Sequence, residues 1–432
     1  MAVCRGDGFE VGMATTDRLA PARQDPTVSS LAPLREPMFR SLWIAAVVSY
    51  IGSWMQNIGA GWLMTQLNPS PFLVGMVLTA ATLPVFLVML PAGAIADMVD
   101  RRRLLLFAQW WMVVASAALG ILALTHRVTP TGLLVFTFLL GLGAVLNDPA
   151  WQAITPEVVS RENHSAAVAL NSAGFNVARA VGPALAGIVI ALGGSGSVFL
   201  LNALSFFGVI IFLYRWKRVA PPPMQRVRLM SSILEGLRYV RESSAVQSVL
   251  VRTGVFSLAA AAIWALMPLL ARPFGPTGFG ALVGSFGVGA LAGAVILPRI
   301  RTWVPLDGMV AVAILTLAAV AFASGRVHQL AWLCAVMFLG GTAWLGILAS
   351  LNYAAQTMAP TWVRARSLSM YLLVMQGGMA VGSAIWGAVA ARIGVPAALA
   401  WAGLALVAGL LAIPRHRLSI LDLELAPSIV RD

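Results

Sequence analysis

Gly93-Ala-Ile-Ala-Asp97-Met-Val-Asp100-Arg101-Arg102-Arg103 sets carboxylates and three guanidiniums between two long apolar runs. Charges at a membrane edge persist where they are anchored or used, so the stretch reads as a built connection between two spanning helices. The apolar runs recur along the whole chain. Of 432 residues, 59% are hydrophobic and 10% charged, with a mean hydropathy of +0.86, which excludes an ordinary globular surface. Each run approaches or exceeds the ~20 residues that cross ~30 Å of hydrocarbon as a helix. The expected spans are 42–66, 72–96, 104–125, 131–153, 165–192, 197–214, 247–271, 278–298, 307–324, 330–352, 367–391 and 395–413. Spanning barrels need dyad-alternating strands of ~10 residues, and the sequence has none. The fold class is therefore an all-α membrane protein with twelve transmembrane helices.

A net charge of +13 raises nucleic acid as a partner, but the basic residues are not gathered on a soluble domain. They concentrate in the leader 1–41, after the second, fourth, eighth and tenth helices, in the central segment 215–246 and in the tail 414–432. Arg127, Arg272, Arg326 and Arg392 alone fall in the alternate connections. This bias puts both termini in the cytoplasm and sets nucleic acid aside. Residues 1–41 are polar and proline-bearing, and are expected to be a disordered leader. Cys4 and Cys334 are too differently placed to pair. His126, His164, His328 and His416 have no Cys, Asp or Glu at ligand spacing, so no metal is expected. Gly280, Gly284, Gly287, Gly289 and Gly293 follow no strand and precede no Lys-Ser/Thr pair, so they read as close helix packing. ATP-driven transport and a bound cofactor are not expected.

The longest polar interruption, 215–246, carries Pro221-Pro222-Pro223 and an amphipathic pattern at Ile233, Leu234, Leu237 and Val240. It divides the chain into an N-terminal six-helix half, 42–214, and a C-terminal half, 247–413. The halves repeat: Gly93 answers Gly293, Gly182 answers Gly382, Gly187 answers Gly387, and Asn176 answers Gln376. Parallel six-helix repeats place a binding site near midplane between them.

The segment 93–103 resembles the conserved loop of the major facilitator superfamily, a Gly, three residues, an Asp and then a basic cluster. Residues 35–215 further resemble transmembrane secretion effectors, a subgroup of bacterial exporters. The matching residues are Leu34-Arg-Glu-Pro37-Met-Phe39-Arg40, Ser53-Trp54-Met55-Gln56, Gly61-Trp62-Leu63-Met64, Leu83-Pro84 and Pro149-Ala-Trp-Gln152. The resemblance implies a gate in which Gly93 and Asp97 belong to one motif, Asp97 caps the eleventh helix, and Arg101 pairs with Glu157. Several positions depart from the pattern. Met98 stands where an Arg is usual and Asp100 where a Gly is usual. Leu297 occupies the position of Asp97 in the second half, and the fourth-helix arginine of many proton antiporters falls near Thr137. In the fifth helix, Gly174 and Gly182-Pro183-Ala-Leu-Ala-Gly187 approximate the antiporter signature of exporters, with Ala178 and Ala186 replacing glycines.

Ser49, Ser53, Gln56, Asn57 and Ala60 share an arc of about 100° on the first helix. Such a polar stripe either lines a cavity or bonds a neighbouring helix. Arg179 lies near midplane of the fifth helix, where a guanidinium costs at least ~2.5–3.5 kcal/mol. It should therefore meet an acid, water or an anionic substrate, and a structural pair with Asp148 is the alternative. Asp148 is the carboxylate set well inside a span, which makes it a candidate for proton coupling; coupling elsewhere or a structural role stays open. The chain reads as a secondary active transporter of the bacterial inner (plasma) membrane. It would export an amphipathic small molecule, such as a drug-like compound or siderophore, by proton-coupled alternating access as a monomer in the lipid bilayer. A lipid or lysophospholipid flippase of the same fold is the alternative. A membrane-embedded enzyme is disfavoured, because no Ser/His, paired-carboxylate or metal constellation occurs.

Overall fold

The computed structural model describes residues 31–216, 238–239, 241–300, 305–360 and 363–412. Among them no strand occurs, and the spanning helices are α1 (Pro37–Leu67), α2 (Pro71–Met98), α3 (Arg101–Leu124), α4 (Pro130–Val158), α5 (164–193), α6 (195–215), α7 (Ser244–Ala271), α8 (Gly275–Ile300), α9 (Leu306–Ser324), α10 (Leu330–Thr357), α11 (Arg364–Ile393) and α12 (Val395–Gly409). The amphipathic pattern at Ile233, Leu234, Leu237 and Val240 lies outside the described residues.

Local chemistry explains the breaks. Proline opens α1, α2 and α4, where its missing N–H is an orphan in any helix. Asp100 caps α3 by accepting from Arg103 N at 3.0 Å, and Thr129 caps α4 by accepting from Gly132 N at 3.1 Å. α5 and α6 are separated only by Gly194, with φ 75° and ψ 171°, and α11 and α12 by Gly394, with φ 88° and ψ 157°. Both backbones need a residue without Cβ, and they occupy corresponding places in the two halves.

The connections at 68–70, 194, 272–274 and 394 define one end of the bundle, here called outer. The connections at 99–100, 159–163 and 358–360 define the inner end. Leu192, Val114, Val295, Trp332 and Leu204 are exposed on the flanks, an apolar girdle that suits hydrocarbon.

The expected disorder of 1–41 does not hold for its last part. Ala32–Arg35 forms a 3-10 turn and α1 begins at Pro37 rather than 42. Phe39 and Leu42 are buried with Leu105, Ile154 and Leu213, and that packing orders a stretch whose polarity alone argued for a free leader. Glu36 fixes it from the other side, accepting from Asn163 Nδ2 at 2.7 Å and Ser160 Oγ at 2.9 Å.

A cavity between the halves

The halves meet through glycines at the outer end, and the contacts repeat almost atom for atom. A Cβ on Gly280 of α8 would stand 2.6 Å from Pro183 O and 3.2 Å from Gly187 Cα on α5. A Cβ on Gly75 of α2 would stand 2.6 Å from Ser383 O and 3.1 Å from Gly387 Cα on α11. Conversely, Gly187 faces Pro276 and Thr277, while Gly387 faces Pro71 and Phe72. Real Cβ atoms do not approach so closely, so each crossing requires glycine. Thr79 Oγ1 donates across the α2–α11 crossing to Ala380 O at 2.9 Å. Trp62 of α1 stacks on Phe279 of α8, ring centroids 6.2 Å apart, beside Gly61 and Pro268. The outer end is closed.

Inward of this closure lies a cavity of about 790 Å³ lined by both halves. Ser53, Gln56, Asn57, Arg179 and Gln376 line it, as does Thr137. Gln56 also bonds within its half, accepting from Ser116 Oγ at 2.8 Å and Asn202 Nδ2 at 2.5 Å. The stripe on α1 thus divides: Ser49 is buried, Gln56 joins three helices, and Asn57 is exposed to the cavity. Arg179 is the one charged side chain among the described lining residues. Its guanidinium stands 6.0 Å from the Trp54 ring centroid. Among the described residues no ion pair joins it to Asp148, which is exposed on α4 and outside the lining. Asn176 is also outside the lining and donates to Ser172 O of its own helix at 2.9 Å. The opposite wall sets an aromatic cluster beside Asn352 and Gln376. Trp264 meets Phe286 and Trp344 edge-on at 4.9 and 5.8 Å, and Tyr371, Met375 and Met379 continue the surface. The sequence pattern did not single out Trp344, whose role depends on three helices converging.

At the inner end, Arg101 donates to Glu157 Oε1 at 2.9 Å, joining α3 to the end of α4. Arg102 reaches α6, donating to Leu213 O at 2.7 Å and Tyr214 O at 3.0 Å, where a cation suits the negative end of a helix. Gly93 and Asp97 stand on the last turns of α2; the side chain of Asp97 lies outside the described part, and so does its expected contact with α11. Gly174 packs against Val47 and Trp43, and Gly182 against Trp54 and Ile51 O, fitting α5 to α1. Gly382 repeats this on α7, facing Leu258 O and Ala261. The pair Arg252–Asp307, missed by the sequence reading, ties α7 to α9, with Arg252 only 6% exposed.

The profile of the family described as transmembrane secretion effector matches residues 28–430. The chain belongs to that family. An enterobactin exporter, EntS, from Citrobacter koseri is 25% identical over 389 residues, 86% of this chain and 89% of that protein. A staphyloferrin A transporter from Staphylococcus aureus is 24% identical over 281 residues, 63% and 70% of the two chains. Among solved structures, the nucleoside transporter NupG (D323A mutant) superposes with a TM-score of 0.73 at 12% identity, covering 88% of this chain and all of that one. A bacterial homolog of the human lysosomal transporter Spinster gives 0.66 at 13%, covering 89% and 95%. These likenesses show the fold: twelve helices in two six-helix halves of the major facilitator type. The protein is a multi-pass membrane transporter, not an enzyme.

Proposed function

We propose that this transporter exports an amphipathic small molecule by proton-coupled alternating access, moving it from the cytoplasmic side through the cavity between its halves. The observation that carries the reading is the cavity itself, shut by backbone crossings at the outer end and lined from both halves by polar side chains, Gln56, Asn57 and Arg179 with Asn352 and Gln376, and by aromatic ones, Trp54 and Phe175 with Trp264 and Trp344. An amphipathic molecule meets both kinds of side chain. The arginine distribution supports a cytoplasmic inner end with both termini inside, and the bacterial relatives support the inner membrane as the location. The names of the relatives, an enterobactin exporter and a staphyloferrin A transporter, support siderophore-like molecules as the first to test.

Alternating access needs two rims that open in turn. Gly75, Gly187, Gly280 and Gly387 serve the outer rim. Arg101 with Glu157, and Asp97 by the family motif, serve the inner one. Asp148, inside the membrane and in contact with neither Arg179 nor a basic partner among the described residues, is the proposed proton site. The decisive experiment uses inverted membrane vesicles, a panel of siderophores and drug-like compounds, and an imposed proton gradient. Gradient-dependent accumulation of at least one compound is expected, abolished by Asp148→Asn; accumulation indifferent to the gradient sinks the coupling, and accumulation only in right-side-out vesicles reverses the direction.

A further inference from the structure

The two walls each hold a hydrogen-bond donor that the protein leaves unused. Arg179 Nε and Trp264 Nε1 are both buried, and among the described residues neither meets an acceptor. A buried donor without an acceptor loses the hydrogen bonds that water gave it, more so when charged. Both residues line the same cavity from opposite halves. Arg179 has the face of Trp54 beside it, which stabilises a cation without consuming any N–H. Trp264 is held edge-on by Phe286 and Trp344, so its indole is fixed by packing rather than by its own polar atom.

We infer that the transported molecule is an organic anion, its charged oxygens taken by Arg179 and a second oxygen acceptor on its flat apolar body taken by the Trp264 N–H. This rests on the reading of the cavity as the transport site and deepens it. Among the described lining residues no carboxylate is available to neutralise a cation, and the Arg179 charge repels one. An anion instead gains a charge-assisted fork at Arg179. The bound molecule also spans the two halves, so its arrival is felt by both.

The test is equilibrium binding to the purified full chain in detergent, read by fluorescence anisotropy with two dyes of one xanthene frame. At mildly alkaline pH fluorescein is an anion and rhodamine 123 a cation. Fluorescein should bind about tenfold tighter or better, the scale expected of a charge-assisted pair. Arg179→Ala and Arg179→Gln should remove that advantage, and Arg179→Lys should keep part of it. Trp264→Phe keeps an aromatic ring but removes the N–H, and should weaken fluorescein about fivefold while leaving rhodamine unchanged. Equal or tighter binding of rhodamine, or no binding of either dye, overturns the inference, as does full fluorescein affinity in Arg179→Gln. Full fluorescein affinity in Trp264→Phe overturns the second contact. Fluorescein bound through Arg179 but never accumulated by inverted vesicles leaves the anion site standing and removes export, whereas accumulation of rhodamine alone does the reverse.

Discussion

The N-terminal and C-terminal halves share a skeleton and differ in what they hang on it. At the outer end they are nearly interchangeable: Gly187 and Gly387 make the same approach to a facing helix, as do Gly75 and Gly280, and Gly194 and Gly394 make the same kind of turn. In the cavity they diverge in charge: Arg179 stands in the N-terminal half, and the described lining of the C-terminal half has no charged side chain, though both halves supply amides and aromatic rings. At the inner end the N-terminal half uses a partly exposed pair, Arg101–Glu157, and the C-terminal half a more buried one, Arg252–Asp307. Backbone contact tolerates no side chain and so keeps the repeat. Side chains that face a cavity or a rim have no such restraint.

The largest effect should come from breaking the shared part. Gly187→Leu or Gly387→Leu forces a side chain into backbone, an overpacking of at least ~1–3 kcal/mol directed at the closed outer end. Transport should fall below about one-tenth, because the outer rim no longer seals. A cysteine at Asn57 should become reactive to a membrane-impermeant reagent added from outside. Gly75→Leu and Gly280→Leu should behave alike. If only one crossing matters, the two halves are not equivalent at this end.

These glycines also show how far the sequence could be read. The repeat at Gly182/Gly382 and Gly187/Gly387 was visible as spacing, and hydropathy gave the spans within a few residues, because membrane burial acts on whole segments. Ser53, Gln56, Asn57, Arg179 and Gln376 were chosen as polar residues in apolar helices, and all line the cavity. The same criterion also chose Asn176, which faces its own helix instead, since polarity does not fix direction. Trp54, Trp264 and Tyr371 could be read as an adaptable apolar wall, but Trp344 escaped notice because a Trp in a membrane helix looks like packing until three helices converge. Arg252–Asp307 escaped because its members lie on separate helices, and the order of 31–41 because Phe39 and Leu42 are too few to register as a span.

A middle-sized effect separates the two inner pairs. Removing one member of a buried pair costs roughly 3–5 kcal/mol, since the other charge stays buried. Arg252 has a side chain only 5% exposed, so Asp307→Asn should lower the melting temperature and the yield sharply. The side chains of Arg101 and Glu157 are 31% and 20% exposed, and a rim pair of that kind contributes about 1 kcal/mol at most. Glu157→Gln should leave melting nearly unchanged yet slow transport about tenfold if the pair holds the inner rim. The double exchange Arg101→Glu with Glu157→Arg should restore part of the rate. Normal transport by Glu157→Gln at equal expression removes this pair from the gate, and equal melting losses for both pairs erase the contrast.

The smallest effect concerns Glu36, which has no counterpart identified in the other half. The Asn163 amide above all, with Ser160 adding to it, holds the Glu36 carboxyl below its ordinary value of 4.5. A depressed carboxylate value means that its stabilising bonds are complete above the ordinary value and are lost as pH falls through the lowered one. At neutral pH, then, Glu36→Gln should remove the charge-assisted part of the clamp between the start of α1 and the α4–α5 connection. Hydrogen exchange of the Ser160 and Asn163 amides should quicken about fivefold, a modest change because the site is solvated. Exchange at the outer end should not change, nor should the melting temperature by more than a degree or two. In the unaltered protein the same quickening should appear only below pH 4.5. If Glu36→Gln leaves exchange at Ser160 untouched at neutral pH, then the apolar contacts of Phe39 and Leu42 alone order this segment, and the N-terminal half needs no ionic clamp that the C-terminal half lacks.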